Sequence, residues 1–184
     1  MAECAGAILA GGKSSRMGQD KAGLRLYGKT LLQHMQSILS EAGMQNLYVS
    51  HPQSIPDDMP GHGPLSGIHA ILKQVLKHHT HILFVPVDMP GLTSSLIKRL
   101  VEAPCAAPLV HYASYNMPFR LIAQRQWFEL AGRLLQKKSD VSLGTFQEHI
   151  AGSLVIESTG LDQHAFRNVN TPEQWDDFAK GGRL

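Results

Sequence analysis

The order of apolar segments predicts an α/β fold: three layers, with a mostly parallel sheet between helices. Two observations carry this. Short apolar runs of strand length alternate three times with amphipathic stretches of helix length. The first run also opens into a long polar, glycine-rich loop, and ligands of open α/β sheets bind at the carboxyl ends of the strands. At 184 residues, with no repeat, low-complexity tract or linker, residues 1–184 are expected to form one domain.

Residues 5–10 (AGAILA) form an apolar run stopped by Gly11 and Gly12, which suits a buried strand feeding a loop. From Thr30 the apolar positions Leu31, Leu32, Met35, Ile38, Leu39 and Ala42 have helical spacing, and Gly43 sits where a left-handed C-cap would stop the helix. Residues 46–50 (NLYVS) read as a second strand. The proline-, glycine- and aspartate-rich stretch 54–63 is a loop ending at Pro64, a favoured first helical residue. Leu65, Ile68, Leu72, Val75 and Leu76 then share one helix face. Residues 81–87 (HILFVPV) are the most apolar strand, broken by Asp88, Met89 and Pro90. Leu96, Ile97, Leu100 and Val101 mark a helix over 94–102.

The second half is less regular. Residues 105–110, 119–124 and 153–156 are expected strands, and 125–135 a helix carrying Trp127, Leu130 and Leu134. Thr171, Pro172 and Gln174 form a helix start, with Thr at the cap, Pro in the first turn and Gln three residues after the cap. Residues 181–184 are expected to fray.

Composition narrows the function classes. Seventeen Lys plus Arg against 15 Asp plus Glu give a net charge of +2, with basic residues mostly single or paired among acids. No basic stripe for a nucleic acid follows from that. Two cysteines, Cys4 and Cys105, support neither a disulfide framework nor a four-thiolate zinc site, which points to a reducing compartment. No apolar run approaches the roughly 20 residues of a membrane helix, and no signal segment is visible, so the cytoplasm is expected.

The chemistry concentrates in residues 9–22, LAGGKSSRMGQDKA. Gly11, Gly12 and Gly18 let the backbone approach a ligand with its N–H groups turned inward, while Lys13, Arg16 and Lys21 supply charge suited to phosphates. The P-loop pattern fails, because the glycine it needs five residues before Gly12 is Ala7. G-x-G-x-x-G fails too, since Gly11 and Gly12 are adjacent. A glycine-rich turn with solvated basic residues is the alternative that these residues alone leave open.

Residues 9–21 fit the pattern L-A-G-G-x-S-x-R-M-G-x-D-K, and three further segments follow in a matching order: 54–68 (SIPDDMPGHGPLSGI), 86–90 (PVDMP) and 168–173 (NVNTPE). In these four segments, spread over nearly the whole chain, the sequence resembles the nucleotidyltransferases of the molybdenum cofactor guanylyltransferase family. The resemblance implies a three-layer, Rossmann-like nucleotidyltransferase fold. It also implies a magnesium-dependent enzyme that moves GMP from GTP to the terminal phosphate of molybdopterin, giving a guanine dinucleotide cofactor and pyrophosphate. Leu9, Ala10, Gly11, Gly12, Lys21, Asp57 and Asp88 would bind GTP, and Arg16 and Lys21 would neutralise triphosphate oxygens. Asp88 would hold Mg2+, which commonly takes only one or two protein carboxylates. Arg16, Lys21 and Asp88 are thus the expected catalytic residues, with Asn170 a helper near the metal. The triplet Ala10, Gly11, Gly12 resembles the GTP-using branch, whereas CTP-using relatives tend towards Ala-Ala-Gly. Ser66 and Gly67 would complete a purine pocket.

No general base is needed for that reaction. A phosphate monoester has a second pKa near about 6 and is largely dianionic at neutral pH, so positioning and charge neutralisation suffice. The ten histidines are scattered, and His78, His79 and His81 are expected at a solvated helix end and strand start. Asp58 is expected to be a loop residue, and for Asp20 the capping of a turn stays open as an equal alternative to a part in binding. For Asp88 a turn-forming role before Met89 and Pro90 stays open beside the metal role.

The chain departs from the family after the helix ending near Leu135. It reads Gln136, Lys137, Lys138, Ser139, Asp140 where relatives often carry a Gly-x-Arg segment thought to meet the pterin, and lysine lacks the planar fork of arginine. The acceptor therefore leaves room for a related nucleotidyltransferase using CTP or a sugar phosphate. A non-catalytic protein that binds nucleotide or delivers cofactor is a third reading, weakened because an adapter would not need both Lys21 and Asp88. Molybdoenzymes or cofactor-handling proteins are the expected protein partners.

Overall fold

The structure is a computed structural model that describes residues 4–11, 20–26, 28–59, 61–137 and 141–181. Among them, six strands form one sheet in the order β4-β1-β5-β7-β6-β8: β1 (Cys4–Leu9), β4 (Leu47–Ser50), β5 (His81–Pro86), β6 (Leu109–Tyr112), β7 (Phe119–Ile122) and β8 (Leu154–Ile156). Strand β1 pairs in parallel with β4 and β5. Strand β7 is antiparallel to both β5 and β6, and β6 is parallel to β8. Only β7 thus reverses direction, and the expected mostly parallel sheet is observed.

Helices α1 (Leu31–Glu41), α2 (Pro64–Val75), α3 (Ser94–Val101), α4 (Arg125–Lys137), α5 (Leu143–Glu148) and α6 (Pro172–Gly181) complete the layers. Helix α1 packs with α3, and α2 with α4 and α5, while β1 touches both α1 and α2. Because βαβ crossovers are right-handed, a chain that steps from β1 out to β4 and back across to β5 puts α1 and α2 on opposite faces. Ala7, Ile8, Ile82, Leu83, Phe84 and Val85 are fully buried, as strands covered on both faces should be.

Local signals set the boundaries. Thr30 accepts the Gln33 backbone N–H at 3.1 Å and Gln33 Oε1 accepts the Thr30 N–H at 2.9 Å, so a capping box starts α1. Gly43, at φ +95°, follows its end as expected. Pro64 is the first residue of α2.

The differences fall where periodicity is short. The strand expected over 105–110 is confined to β6, because 104–107 make a turn closed by Ala107 N–H on the Pro104 carbonyl at 3.2 Å. The two-residue strands β2 (Arg25–Leu26) and β3 (Lys29–Thr30) and the short α5 had no predicted counterpart. His79 and His81 correct an expectation, since they are buried rather than solvated. His79 Nε2 lies 2.9 Å from the Tyr48 hydroxyl and His81 Nε2 3.1 Å from the Cys105 carbonyl, so each ring finds a polar partner inside. His78 is exposed as expected.

Candidate active site

Strand order reverses direction at β1: the chain first adds β4 on one side and then β5 on the other. In an open α/β sheet that reversal leaves a crevice outside the carboxyl ends of the two strands. A cleft of about 290 Å3 lies there, with Leu9, Ala10 and Gly11 from the end of β1 and Val87 and Asp88 from the end of β5 in its lining. The Val87 N–H donates to the Leu9 carbonyl at 3.1 Å, which carries the pairing of β1 and β5 past their last residues.

Lys21 enters the cleft from a 3-10 turn, Lys21–Gly23, capped by Asp20, whose Oδ1 accepts the Ala22 N–H at 3.0 Å. The turn-capping alternative for Asp20 is therefore the one observed. The ammonium Nζ lies 2.9 Å from Asp88 Oδ2 and 2.6 Å from Asn170 Oδ1. Three segments far apart in sequence thus meet at one charge.

Each partner is held by its backbone. The Asp88 carbonyl accepts the Val169 N–H at 2.8 Å, tying the end of β5 to the segment before α6. His34 Nε2 on α1 lies 2.9 Å from the Pro90 carbonyl and steadies the turn after Asp88. The Asn170 N–H donates to Gln174 Oε1 at 2.7 Å, and the Gln174 N–H donates to Thr171 Oγ1 at 3.2 Å. The helix-start signal at Thr171 and Gln174 therefore also fixes Asn170.

Asp57 stands on the other side of the β1 end. Its Oδ1 accepts from the Ser50 hydroxyl at 2.8 Å, and its Oδ2 is 3.5 Å from where a side chain on Gly11 would begin. Ser50 is buried beneath α2, and Gly67 is required there: a Cβ on it would sit 2.5 Å from Ser50 Oγ. Ser66 donates its hydroxyl to the Met59 carbonyl at 2.7 Å and is 1% exposed. Of the two residues expected to line a purine pocket, Ser66 is thus engaged by the loop before α2, and Gly67 lies where α2 packs closely on β4. Asp58 is a loop residue, as expected, paired with Lys73 at 3.0 Å.

Of the residues singled out in sequence, Leu9, Ala10, Gly11, Lys21, Asp57 and Asp88 come together around the ends of β1 and β5. Gly12 and Arg16, with Lys13, Gly18 and Lys138, lie outside the described residues. Ser50, His51 and His34 were not anticipated, and Asn168, which opens the motif 168–173 but was given no role, lines the cleft. Ser50 and His51 stand at the carboxyl end of a predicted strand, and that position was the available signal.

The oxygens around Lys21 also bear on magnesium. A carboxylate and an amide oxygen converge on one cation, both hard donors of the kind Mg2+ accepts. Among the described residues no group of three or more His, Cys, Asp or Glu gathers. The set fits an ion that completes its shell with water and phosphate rather than one caged by protein.

An α/β sheet with a lysine, a carboxylate and an amide meeting at its switch point, beside glycine backbone, is the kind of arrangement that suits a phosphorylated ligand. Similarity to known proteins makes this specific. Residues 6–150 match the family described as MobA-like NTP transferase domain. A molybdenum cofactor guanylyltransferase of Xanthomonas euvesicatoria is 37% identical over 175 residues, 92% of this chain and 91% of that protein. One of Rhizobium johnstonii is 38% identical over 107 residues, 54% of this chain and 51% of its own length. The crystal structure of molybdopterin-guanine dinucleotide biosynthesis protein A from Archaeoglobus fulgidus superposes with a TM-score of 0.67 at 18% identity, over 95% of this chain and 96% of that one. The chain belongs to the MobA-like NTP transferase family and is a nucleotidyltransferase.

Among the described residues no helix is long and apolar enough to cross a membrane.

Proposed function

We propose that the protein transfers GMP from GTP to the terminal phosphate of molybdopterin, with Mg2+ as the metal, in the cytoplasm. The observation that carries this reading is the meeting of Lys21 with Asp88 and Asn170 in the cleft at the ends of β1 and β5. The names of the relatives support the choice of GTP and molybdopterin.

In this reading the backbone of Ala10 and Gly11 faces the nucleotide, Asp57 takes part in holding it, and Arg16 reaches the triphosphate. Lys21 turns from its side-chain partners to the phosphate oxygens. A dianionic acceptor oxygen attacks the α-phosphorus, the bond from that phosphorus to the bridging α–β oxygen breaks, and pyrophosphate leaves with the electron pair. No proton is removed from the nucleophile, so no side chain acts as base. Asp88, with Asn170 beside it, would hold Mg2+, which when bound supplies charge that offsets the phosphate oxygens. The acceptor would approach from the side lined by Met117 and Asn168.

The test is turnover with molybdopterin as acceptor and either GTP or CTP as donor, in magnesium. GTP is expected to be used and CTP to give little product. Equal use of both would overturn the guanine assignment, and no product from either would overturn the acceptor.

A further inference from the structure

Asp20 has two oxygens, and the turn uses only one. Oδ1 caps the 3-10 turn that carries Lys21, whereas Oδ2 lies 3.0 Å from His51 Nε2. His51 directly follows β4, and its own backbone N–H donates to the Ile55 carbonyl at 3.1 Å. Its other ring nitrogen, Nδ1, accepts the Gln53 N–H at 3.3 Å. A ring nitrogen that accepts carries no proton, so the neutral imidazole has its hydrogen on Nε2 and donates it to Asp20. With both nitrogens engaged and the side chain 15% exposed, the ring has one orientation.

We propose that His51 is a positioning residue for Lys21, acting through Asp20 to fix where the lysine enters the nucleotide cleft. The proposal rests on the reading of Lys21 as a triphosphate contact. A three-residue 3-10 turn has little cooperative stability of its own, so its place is set by the packing of buried Ala22 and by what its ends are tied to. Its C-terminal side is tied through the Leu24 carbonyl, which accepts the Leu31 N–H at 2.8 Å. On the other side the tie is Asp20, and Asp20 is tied to the sheet through His51. Lysine is a point charge on a flexible stem, and its ammonium must meet phosphate in register with Asp88 and Asn170. Adjacent residues at the end of β4 thereby each hold a carboxylate, Ser50 holding Asp57 and His51 holding Asp20. Because Asp20 is 54% exposed, its bond to His51 adds little to global stability, and positioning separates cleanly from folding.

The experiment is calorimetric titration of the full chain with GTP and magnesium, alongside thermal melts. His51→Ala is expected to weaken GTP binding about 10-fold, the scale of a lost support to a ligand-binding side chain, with little change in melting temperature. His51→Gln, which returns an N–H donor near the Nε2 position, should restore most of the affinity. Asp20→Asn keeps an oxygen for the Ala22 N–H but replaces the acceptor for His51, and should match His51→Ala. The His51→Ala, Asp20→Asn pair should lose no more than either change alone. Should His51→Ala melt early, Asp20→Asn and His51→Gln decide. Wild-type affinity in His51→Ala or Asp20→Asn, failure of His51→Gln to restore binding, or losses that multiply in the pair would each overturn the proposal. Lys21→Ala separates the two levels: if it binds GTP as the wild type does, the reading of Lys21 itself falls. If it binds weakly while His51→Ala binds normally, only the role of His51 falls.

Discussion

Two cations are drawn into this sheet at opposite ends, and their partners differ in kind. Lys21, at the carboxyl ends of β1 and β5, is held by two side-chain oxygens from separate segments and is 17% exposed towards the cleft. Arg120, on the antiparallel strand β7, is 1% exposed. It donates from Nη1 to the carbonyls of Val101 at 3.1 Å and Ala103 at 2.7 Å, and from Nη2 to that of Pro104 at 2.7 Å. Val101 ends α3, where the helix dipole favours positive charge, and Ala103 and Pro104 lie in the segment that follows. Side-chain partners can rotate aside when a phosphate arrives, whereas backbone carbonyls have no side-chain rotation to use. Charge at the carboxyl end of the sheet is thus available for exchange, and charge at the other end is fixed into the fold.

Removing the available charge should give the largest effect on catalysis. Lys21→Ala is expected to lower kcat/KM by about 100-fold to 1000-fold, the scale of one lost preorganised contact to transition-state charge. Its melting temperature should stay close to wild type, since substitutions outside the core usually change stability by about 0.5 kcal/mol or less. Steady-state kinetics beside a thermal melt checks both, and normal activity would break the comparison at its first term.

Asp88→Asn keeps the shape and removes the charge. If Asp88 holds the metal, the rate should fall by about 100-fold and the magnesium dependence should shift to higher concentration. If Asp88 only shapes the turn before Pro90, asparagine should serve almost as well. A rate within about threefold of wild type, well short of the expected loss, with unchanged magnesium dependence would leave the cleft without its metal ligand.

Arg120→Leu should show the reverse pattern. Three backbone carbonyls lose their donor, at about 1 kcal/mol each, so about 3 kcal/mol of stability should go. For a chain of this size that corresponds to a melting temperature lower by about 6 to 12 °C. The folded fraction should keep its kcat/KM. Lost activity without a lower melting temperature would mean that the two ends of the sheet are not separate.

The sequence made the first of these cations legible and hid the second. Lys21 lies in a dense motif directly after a clear strand, and Asp88 breaks the most apolar run, so both stand out locally. Asn170 stood out only through the resemblance, and its contact with Lys21 depends on a chain crossing 149 residues long in sequence. Arg120 gave no signal: in the strand FRLI a lone arginine reads as a solvated residue, because nothing local says that α3 ends opposite it. The same limit explains β2, β3 and α5, too short for a period to show, and the fate of Ser66 and Gly67. Their motif implied, through the resemblance, a place near the nucleotide, but what they touch depends on how closely α2 approaches β4 and its own loop.

Cys4 offers the finest test of the division, with the smallest effect. It begins β1 and lines a cavity of about 200 Å3 together with Cys105 and Arg120. Burial pushes its thiol up to about 12, against the pull of the Arg120 charge, which acts in the opposite direction and loses. The folded-state value lies above the ordinary 9.0, so the stability linked to this proton is fully present below about pH 9 and is lost as the pH rises through about 12. At pH 8 the thiol should therefore stay protonated and slow to alkylate, since the thiolate is the nucleophile. Cys105 is exposed and should react with iodoacetamide first. Mass spectrometry of the native chain at pH 8 is expected to show one modified cysteine, Cys105, with Cys4 reacting only in denaturant and Cys4→Ala leaving turnover unchanged. Equal alkylation of both thiols in the native protein would mean that the Arg120 charge reaches Cys4 after all, and that the cation fixed at this end is as available as Lys21.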